Sequence, residues 1–560
     1  MGYLINNAGS EVSSEGGVRD RGFAEPDRGQ YDVPEPVTAL CGGAMMIRKS
    51  ALQGKPVFAS RFFAYFEDTE LSLRLRHQGY ELHYCPTAQV YHKHASSSRE
   101  GSAFFLYHVT RNRILFLASY FPEPLWGREY RQAKAHLRHQ YRLWQVEPAR
   151  FPREERLFLE QVPKLLDEWK RWLPEVQAGT FLVRKNRFPR IAVYNNFWDT
   201  LGGGEQHAGM IAQTLQRLGP VDLLSESDFD LAALTRHFDL DLRFCRRRLV
   251  TPESLHHGNL TAEYDIFVNA TYASDLASAA RLSYYVVSFP YPLDDRPPQA
   301  AAFIDTYDRF LANSAYTSQW LERWWGVKGD ILYPSVPLPR EAPDPAGKEP
   351  LILHVGRFFQ EGHNKKQLEL VKTFKHLYDQ CPAARNWRLV LVGRVHADQA
   401  AYFEQVRREA TGYPVVFYTD LCFQDLQDLY RRSAIYWHAT GLGESLDRNP
   451  ELYEHFGIST VEAMAWGCVP IVISAGGQPE IVEHGKNGFL FSTETELLRW
   501  SRQVITDFKQ TPSRYERLSQ AAMSRARDFS RAALQKRLLS WLAADGYPLP
   551  GDAVTVVEAP

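Results

Sequence analysis

The chain has 560 residues, 44% of them hydrophobic and 23% charged, with 65 Lys and Arg against 66 Asp and Glu for a formal net charge of −1. That balance excludes a bulk nucleic-acid binder, which carries a basic excess, and an aromatic content of 13% excludes a long disordered acidic chain. At roughly 100–200 residues per domain, the length predicts three or four domains.

Six cysteines, at positions 41, 85, 245, 381, 422 and 468, include no C-x-x-C pair. This argues against a thiolate zinc site and a disulfide framework, and for a reducing compartment. No apolar run approaches the ~18 residues that span a bilayer. The opening MGYLINNAGSEVSSEGG lacks the charged-then-apolar order of a signal peptide. A cytoplasmic protein is the expectation.

Residues 1–127 mix short strand-like runs with turn signals. Glu67 and Asp68 precede an amphipathic helix, LSLRLRHQG, and a strand and VYHKH follow. Acidic residues in a first helical turn also complement the helix dipole without any ligand. Residues 128–187 predict polar helix broken by prolines at 148, 152, 163 and 174. Here Arg128, Arg131, Lys134, Arg138 and Arg142 recur at helical spacing, interleaved with Tyr130, Leu137, Tyr141 and Trp144. The pattern fits a helix packed between domains, or one lying on an anionic membrane surface.

From Arg190 the text changes. RIAVYN reads as a strand, Gly202–Glu205 as a glycine turn, and HAGMIAQTLQRL as an amphipathic helix, the opening of a βαβ unit. A proline-rich stretch at 333–350 reads as a linker. Strand–helix alternation then restarts with LILHVGR and runs to PEIVEHG, which predicts a parallel sheet with helices on both faces. So 188–335 and 336–545 read as two doubly wound α/β domains, followed by a tail, 546–560. Ligands in such sheets sit outside the carboxyl ends of the strands.

Several charged and glycine residues fall at those ends. Arg357 closes the strand LILHVGR, and Lys365 and Lys366 follow in GHNKKQ. Arg and Lys are the usual pair for a diphosphate. The strand VPIVIS ends in Ala475-Gly476-Gly477 before a helix, and such a turn lets backbone N–H groups approach an anion. His438 ends the strand AIYWHA. In EHFGISTVEAMAWG, Glu454 and Glu462 stand eight residues apart beside a helix start near Ser459, placed to accept hydrogen bonds from vicinal hydroxyls. Ser459-x-x-Glu462 also reads as a capping box, which needs no ligand.

Residues 188–545 resemble the family-4 glycosyltransferases of GT-B fold, most specifically through the E-x7-E pair Glu454 and Glu462. The resemblance implies that Glu454 faces the sugar of a nucleotide-diphosphate donor and Glu462 holds its ribose. It implies diphosphate roles for Arg357 and Lys366, with Lys365 an adjacent alternative, and a phosphate-facing role for the turn containing Gly203 and Gly204. It implies transfer with retention at the anomeric carbon to a glycan or lipid-linked acceptor, without a cofactor. His438, Gly476 and Gly477 are expected to line the donor site. Acceptor choice is expected to lie in 188–335, where YYVVSFPYPLDDR (284–296) is unassigned.

Residues 1–127 resemble the second half of family-2 glycosyltransferases of GT-A fold, notably rhamnosyltransferase-like members. That likeness implies a base role for Asp68 and a metal-shell role for His92, with His94 a substitute, and a divalent Mg or Mn only for a complete module. The half with the D-x-D motif is missing; Asp228–Asp230 and Asp239–Asp241 carry such strings but lie downstream. Either the chain is a fragment of a longer two-enzyme protein of surface polysaccharide or O-antigen assembly, which is the expectation, or the first module is an inactive remnant. Two competing readings are a non-catalytic carbohydrate-binding scaffold and an NAD-dependent oxidoreductase, the latter lacking G-x-G-x-x-G.

Overall fold

The computed structural model describes residues 4–13, 15–52, 56–78, 80–91, 99–121, 123–177, 189–256, 260–293, 302–419 and 421–547. His92, His94, residues 1–3 and the tail beyond 547 lie outside the described residues.

The first body is built mainly of helices. Its strands are short antiparallel pairs, Ser10–Val12 with Val18–Asp20 and Glu35–Pro36 with His83–Tyr84. The helices are Glu67–His77, Ala103–Tyr120, Glu123–Val146, Arg153–Leu159 and Val162–Gln177. The helix Ala103–Tyr120 is apolar on most sides because neighbours surround it, and Leu115, Phe116, Leu117 and Tyr120 are fully buried. Leu137, Leu165 and Trp169 join the same core. The stretch 128–177 therefore packs as one body with the residues before it. Tyr130, Tyr141 and Trp144 also lie against that core, so the aromatic side of 128–144 is spent inside the protein.

Pro174 corrects the proline reading, since it sits within the helix Val162–Gln177 instead of ending one. Pro148 begins a 3-10 turn, Pro152 precedes a helix and Pro163 lies in a first turn. A first turn tolerates proline because its N–H groups lack helical partners.

Two parallel sheets follow. In spatial order the first runs Asp330–Ile331, Arg309–Ala312, Leu282–Val287, Ile266–Asn269, Ile191–Tyr194, Val221–Ser225 and Cys245–Leu249. The second runs Val415–Tyr418, Arg388–Val392, Glu349–Val355, Ser433–His438, Val469–Ile473 and Phe489–Phe491. Neighbouring strands pair in parallel throughout both sheets. Central strands such as LSYYVV and VPIVI are buried throughout, as strands covered by helices on both faces must be.

The linker is tied down, since Val336 N–H donates to the Phe529 carbonyl at 3.0 Å. The last helix, Arg531–Ala544, returns to the first sheet's domain. Its Leu534, Leu538, Leu539 and Leu542 are buried in that domain's core, and Asp545 pairs with Arg309 at 2.5 Å. The span 336–545 read as one domain thus ends with a helix that belongs to the core of the other.

Candidate active site between the two sheets

The carboxyl end of the strand Glu349–Val355 delivers Arg357. Its side chain is exposed and has no hydrogen-bond or ion-pair partner among the described residues. The loop beneath it is fixed by Gln367, which is fully buried and donates to the carbonyls of Gly356 at 3.1 Å and Arg357 at 3.0 Å. Sequence reading missed Gln367, because an amide at a helix start carries no spacing signal.

The two lysines diverge. Lys365 Nζ meets Glu454 Oε2 at 2.6 Å, and Lys366 Nζ meets Glu444 Oε1 at 2.6 Å. His438 Nε2 donates to the same Glu454 oxygen at 2.9 Å, and its Nδ1 is buried with no partner among the described residues. Burial alone would raise the Glu454 pKa. Lys365, His363 and His438 outweigh it and hold the carboxyl well below its ordinary range. Burial in turn lowers the His438 pKa.

Glu462 is held differently. Tyr430 Oη donates to its Oε2 at 3.0 Å, and Gln206 reaches it from the first domain. Neither partner is charged, so burial pushes the Glu462 carboxyl up to about 7. The helix starts at Ile458 with Gly457 before it in the left-handed region, so Glu462 falls in the second turn. Ser459 makes no cap; its Oγ accepts from Tyr436 Oη at 2.7 Å. This corrects the capping-box reading and leaves Glu462 without a capping duty.

Gly476 and Gly477 serve close approach. A Cβ on Gly476 would collide with the Glu454 carbonyl, and one on Gly477 with the His455 carbonyl. The Gly477 N–H donates to the Glu454 carbonyl at 2.8 Å, so that donor is spent on positioning Glu454. Across the cleft, Gly203 begins the helix Gly203–Leu215, and a Cβ there would stand 3.1 Å from Ile458 Cδ1. Gly204 faces open space. Glu205 turns back to accept from Gly202 N–H at 2.8 Å and Thr200 Oγ1 at 2.6 Å.

Other contacts at and beside the domain boundary had no sequence signal. Phe289 stacks on His455 at 4.2 Å between ring centroids, and His455 stacks on His363 at 4.9 Å. His363 Nε2 donates to the Tyr453 carbonyl at 2.7 Å. Glu480 accepts from Ala315 N–H at 2.7 Å and Tyr316 N–H at 2.8 Å, and from Tyr333 Oη at 3.0 Å.

In the first body, Asp68 accepts from Gly42 N–H at 2.8 Å and Thr69 N–H at 2.7 Å. Burial and the Asp68 charge push the Glu67 carboxyl up to about 6. Among the described residues no group of three His, Cys, Asp or Glu side chains could hold a metal ion.

Residues 338–525 match the family model described as glycosyl transferases group 1. The Dictyostelium discoideum GDP-Man:Man(3)GlcNAc(2)-PP-Dol alpha-1,2-mannosyltransferase is 29% identical over 216 residues, 35% of this chain and 40% of the relative. The Mus musculus alpha-1,3/1,6-mannosyltransferase ALG2 is 26% identical over 263 residues, 42% of this chain and 58% of the relative. The Mycobacterium tuberculosis N-acetylglucosaminyl-diphospho-decaprenol L-rhamnosyltransferase is 35% identical over 83 residues, 15% of this chain and 27% of the relative. The chain thus spans less than two thirds of the length of these relatives. The solved structure of Anabaena HepE in complex with UDP superposes with a TM-score of 0.50 at 16% identity, covering 63% of this chain and all of that one. At that identity the likeness speaks for the fold. The second parallel-sheet domain therefore carries a glycosyl transferases group 1 domain, and the two sheets form the paired Rossmann-like domains of a GT-B fold.

Proposed function

We propose that the chain transfers a sugar from a nucleotide-diphosphate donor to a glycan or lipid-linked acceptor, with retention at the anomeric carbon. The observation that carries this reading is the cluster at the strand ends. Glu454 is held ionised by Lys365 and His438, and Arg357, just past the carboxyl end of the strand Glu349–Val355, has no side-chain partner among the described residues. An exposed guanidinium and a buried carboxylate at the strand ends of one sheet suit a ligand with an anionic end and a hydroxyl-rich end. That describes a sugar diphosphate.

Bond breaking at the anomeric carbon leaves negative charge on the diphosphate. Arg357 and Lys366 neutralise it as it develops, which is electrostatic stabilisation by groups already in place. Lys366 is drawn from Glu444 to the phosphates. Glu454, oriented by Lys365 and His438, faces the donor sugar. Glu462 accepts hydrogen bonds from the ribose hydroxyls, with Gln206 yielding its place. These roles follow the family-4 pattern of retaining enzymes.

The first body is proposed as the second half of a family-2 module with Asp68 as its base, and surface polysaccharide or O-antigen assembly as the setting. In this reading the enzyme works in the cytoplasm at the inner face of the membrane. Among the described residues no helix is long and apolar enough to cross a membrane. Contact through the basic side of 128–144 is part of the proposal.

The test is a panel of nucleotide sugars incubated with the full chain, read by release of nucleoside diphosphate. One donor is expected to turn over, and Glu462→Ala to abolish that turnover with the fold intact by circular dichroism. Unchanged turnover in the variant would remove the E-x7-E assignment.

A further inference from the structure

Lys348 stands at the amino end of the strand Glu349–Val355, whose carboxyl end leads to Arg357. It is 6% exposed, yet no acid pairs with it among the described residues. Its Nζ donates to the Tyr430 carbonyl at 2.9 Å and the Trp466 carbonyl at 2.7 Å, and stands 3.8 Å from Cys468 Sγ. Burial pulls the ammonium pKa down, and the Cys468 sulfur counters it. An apolar side chain of similar length would fill the space without the cost of burying a charge. The cation therefore calls for a reason.

Its two partners supply one. Both carbonyls lie at helix C-termini, Tyr430 near the end of Phe423–Arg432 and Trp466 just after Ile458–Ala465. Such carbonyls lack helical partners, and a cation there also meets the negative end of the dipole. Both residues then reach Glu462. Tyr430 Oη donates to the Glu462 carboxylate at 3.0 Å. Trp466 N–H donates to the Glu462 carbonyl at 3.2 Å. One ammonium thus anchors Glu462 by two routes, side chain and backbone.

We propose that Lys348 is a positioning residue of the donor site, acting through Tyr430 and Trp466 to fix Glu462 for the ribose. The inference rests on the reading of Glu462 given above. It places the residue immediately before the strand that leads to Arg357, so one strand registers the ribose-binding and diphosphate-binding groups together.

The experiment measures binding of UDP, GDP and inorganic diphosphate to the full chain by calorimetry, for wild type, Lys348→Met, Tyr430→Phe and the double variant. Each single variant is expected to weaken the nucleotide that wild type binds by about tenfold, the worth of one buried hydrogen bond to a charged group. Inorganic diphosphate, which has no ribose, is expected to bind all four proteins alike. The double variant is expected to lose less than the sum of the singles, because Lys348 and Tyr430 act in one chain of contacts. Donor KM rises in each single variant while kcat holds.

Equal loss for nucleotide and inorganic diphosphate, additive losses, or no loss would each overturn the positioning role. If Lys348→Met does not fold, Lys348→Gln keeps a donor for one carbonyl, and an intermediate loss specific to the nucleotide is expected; none would overturn the role. Should wild type bind neither UDP nor GDP, the donor-site reading itself falls. Should wild type bind and the single variants match it, only the role of Lys348 falls.

Discussion

At the residue scale, two glutamates eight positions apart have opposite electrostatics. Glu454 lies among Lys365, His363 and His438 and stays ionised, while burial between uncharged partners raises Glu462 to about 7. The sign of the Glu462 effect is fixed by linkage. Between the ordinary carboxyl value of 4.5 and about 7 the folded chain holds a proton that the unfolded chain has released, so stability falls across that window as pH rises. Replacing Glu462 by Gln removes the penalty. Glu462→Gln is expected to raise the melting temperature of the ligand-free protein at pH 8, by the equivalent of about 1–3 kcal/mol. The gain fades as pH falls towards 4.5, below which wild type is protonated in both states. A pH series of thermal melts checks this, and a variant equally stable to wild type at pH 8 would contradict the raised pKa.

The E-x7-E pair and Arg357 were legible because their spacing is local and their strand ends could be read from apolar runs. Their partners were not. Lys365 meets Glu454 across 89 positions and Tyr430 meets Glu462 across 32. Sequence order alone does not bring such groups together. The glycine turn was read for phosphate from its place after a strand, and nothing in the sequence signalled that the Gly477 N–H donates to the Glu454 carbonyl.

At the scale of elements, the helix Ala103–Tyr120 shows what the sequence obscured. A buried helix lacks an apolar stripe, so periodicity gives little signal. Its one fully buried amide, Asn112, donates to the carbonyls of Phe62 at 2.6 Å, Ala64 at 2.8 Å and Tyr65 at 2.8 Å. Those bonds hold a loop in which Phe63, Tyr65 and Phe66 all have positive φ, each costing on the order of 1–2 kcal/mol. The loop delivers Glu67 and Asp68. Asn112→Ala removes all three of these donated bonds to the loop and is expected to cost about 1–3 kcal/mol. Amide exchange in residues 59–72 should speed up with little change in 338–525. Uniform exchange across both regions would show that the loop does not depend on this amide.

At the scale of the molecule, three bodies share side chains. Phe244 of the first parallel-sheet domain is buried in the helical body's core, and Arg76 lies over its ring at 5.3 Å. The last helix crosses back between the two sheets' domains. Glu480 carries a sharper contact, because one carboxylate takes two backbone N–H groups at the start of the helix Ala315–Trp325. It follows Gly476 and Gly477 by only a few residues, so the donor turn and the domain contact are one segment. Glu480→Ala is expected to cost about 1–3 kcal/mol and to loosen the two domains. Limited proteolysis within 336–348 should be several-fold faster than in wild type; an unchanged rate would place the domain contact elsewhere.

The two doubly wound sheets were legible from strand–helix alternation, which the two parallel sheets follow. The return of Arg531–Ala544 was not, since its leucines fit either core. Net charge said least. Its −1 averages over a site where Lys365 and Lys366 are each matched by an acid and Arg357, among the described residues, is not. That unmatched cation stands at the centre of the functional reading. A crystal structure of the chain with a bound nucleoside diphosphate tests it most directly. The ribose hydroxyls should lie within hydrogen-bond distance of the Glu462 carboxylate, with the phosphates against Arg357 and Lys366. A nucleotide seated elsewhere, with Glu462 still held by Gln206 and Tyr430, would contradict it.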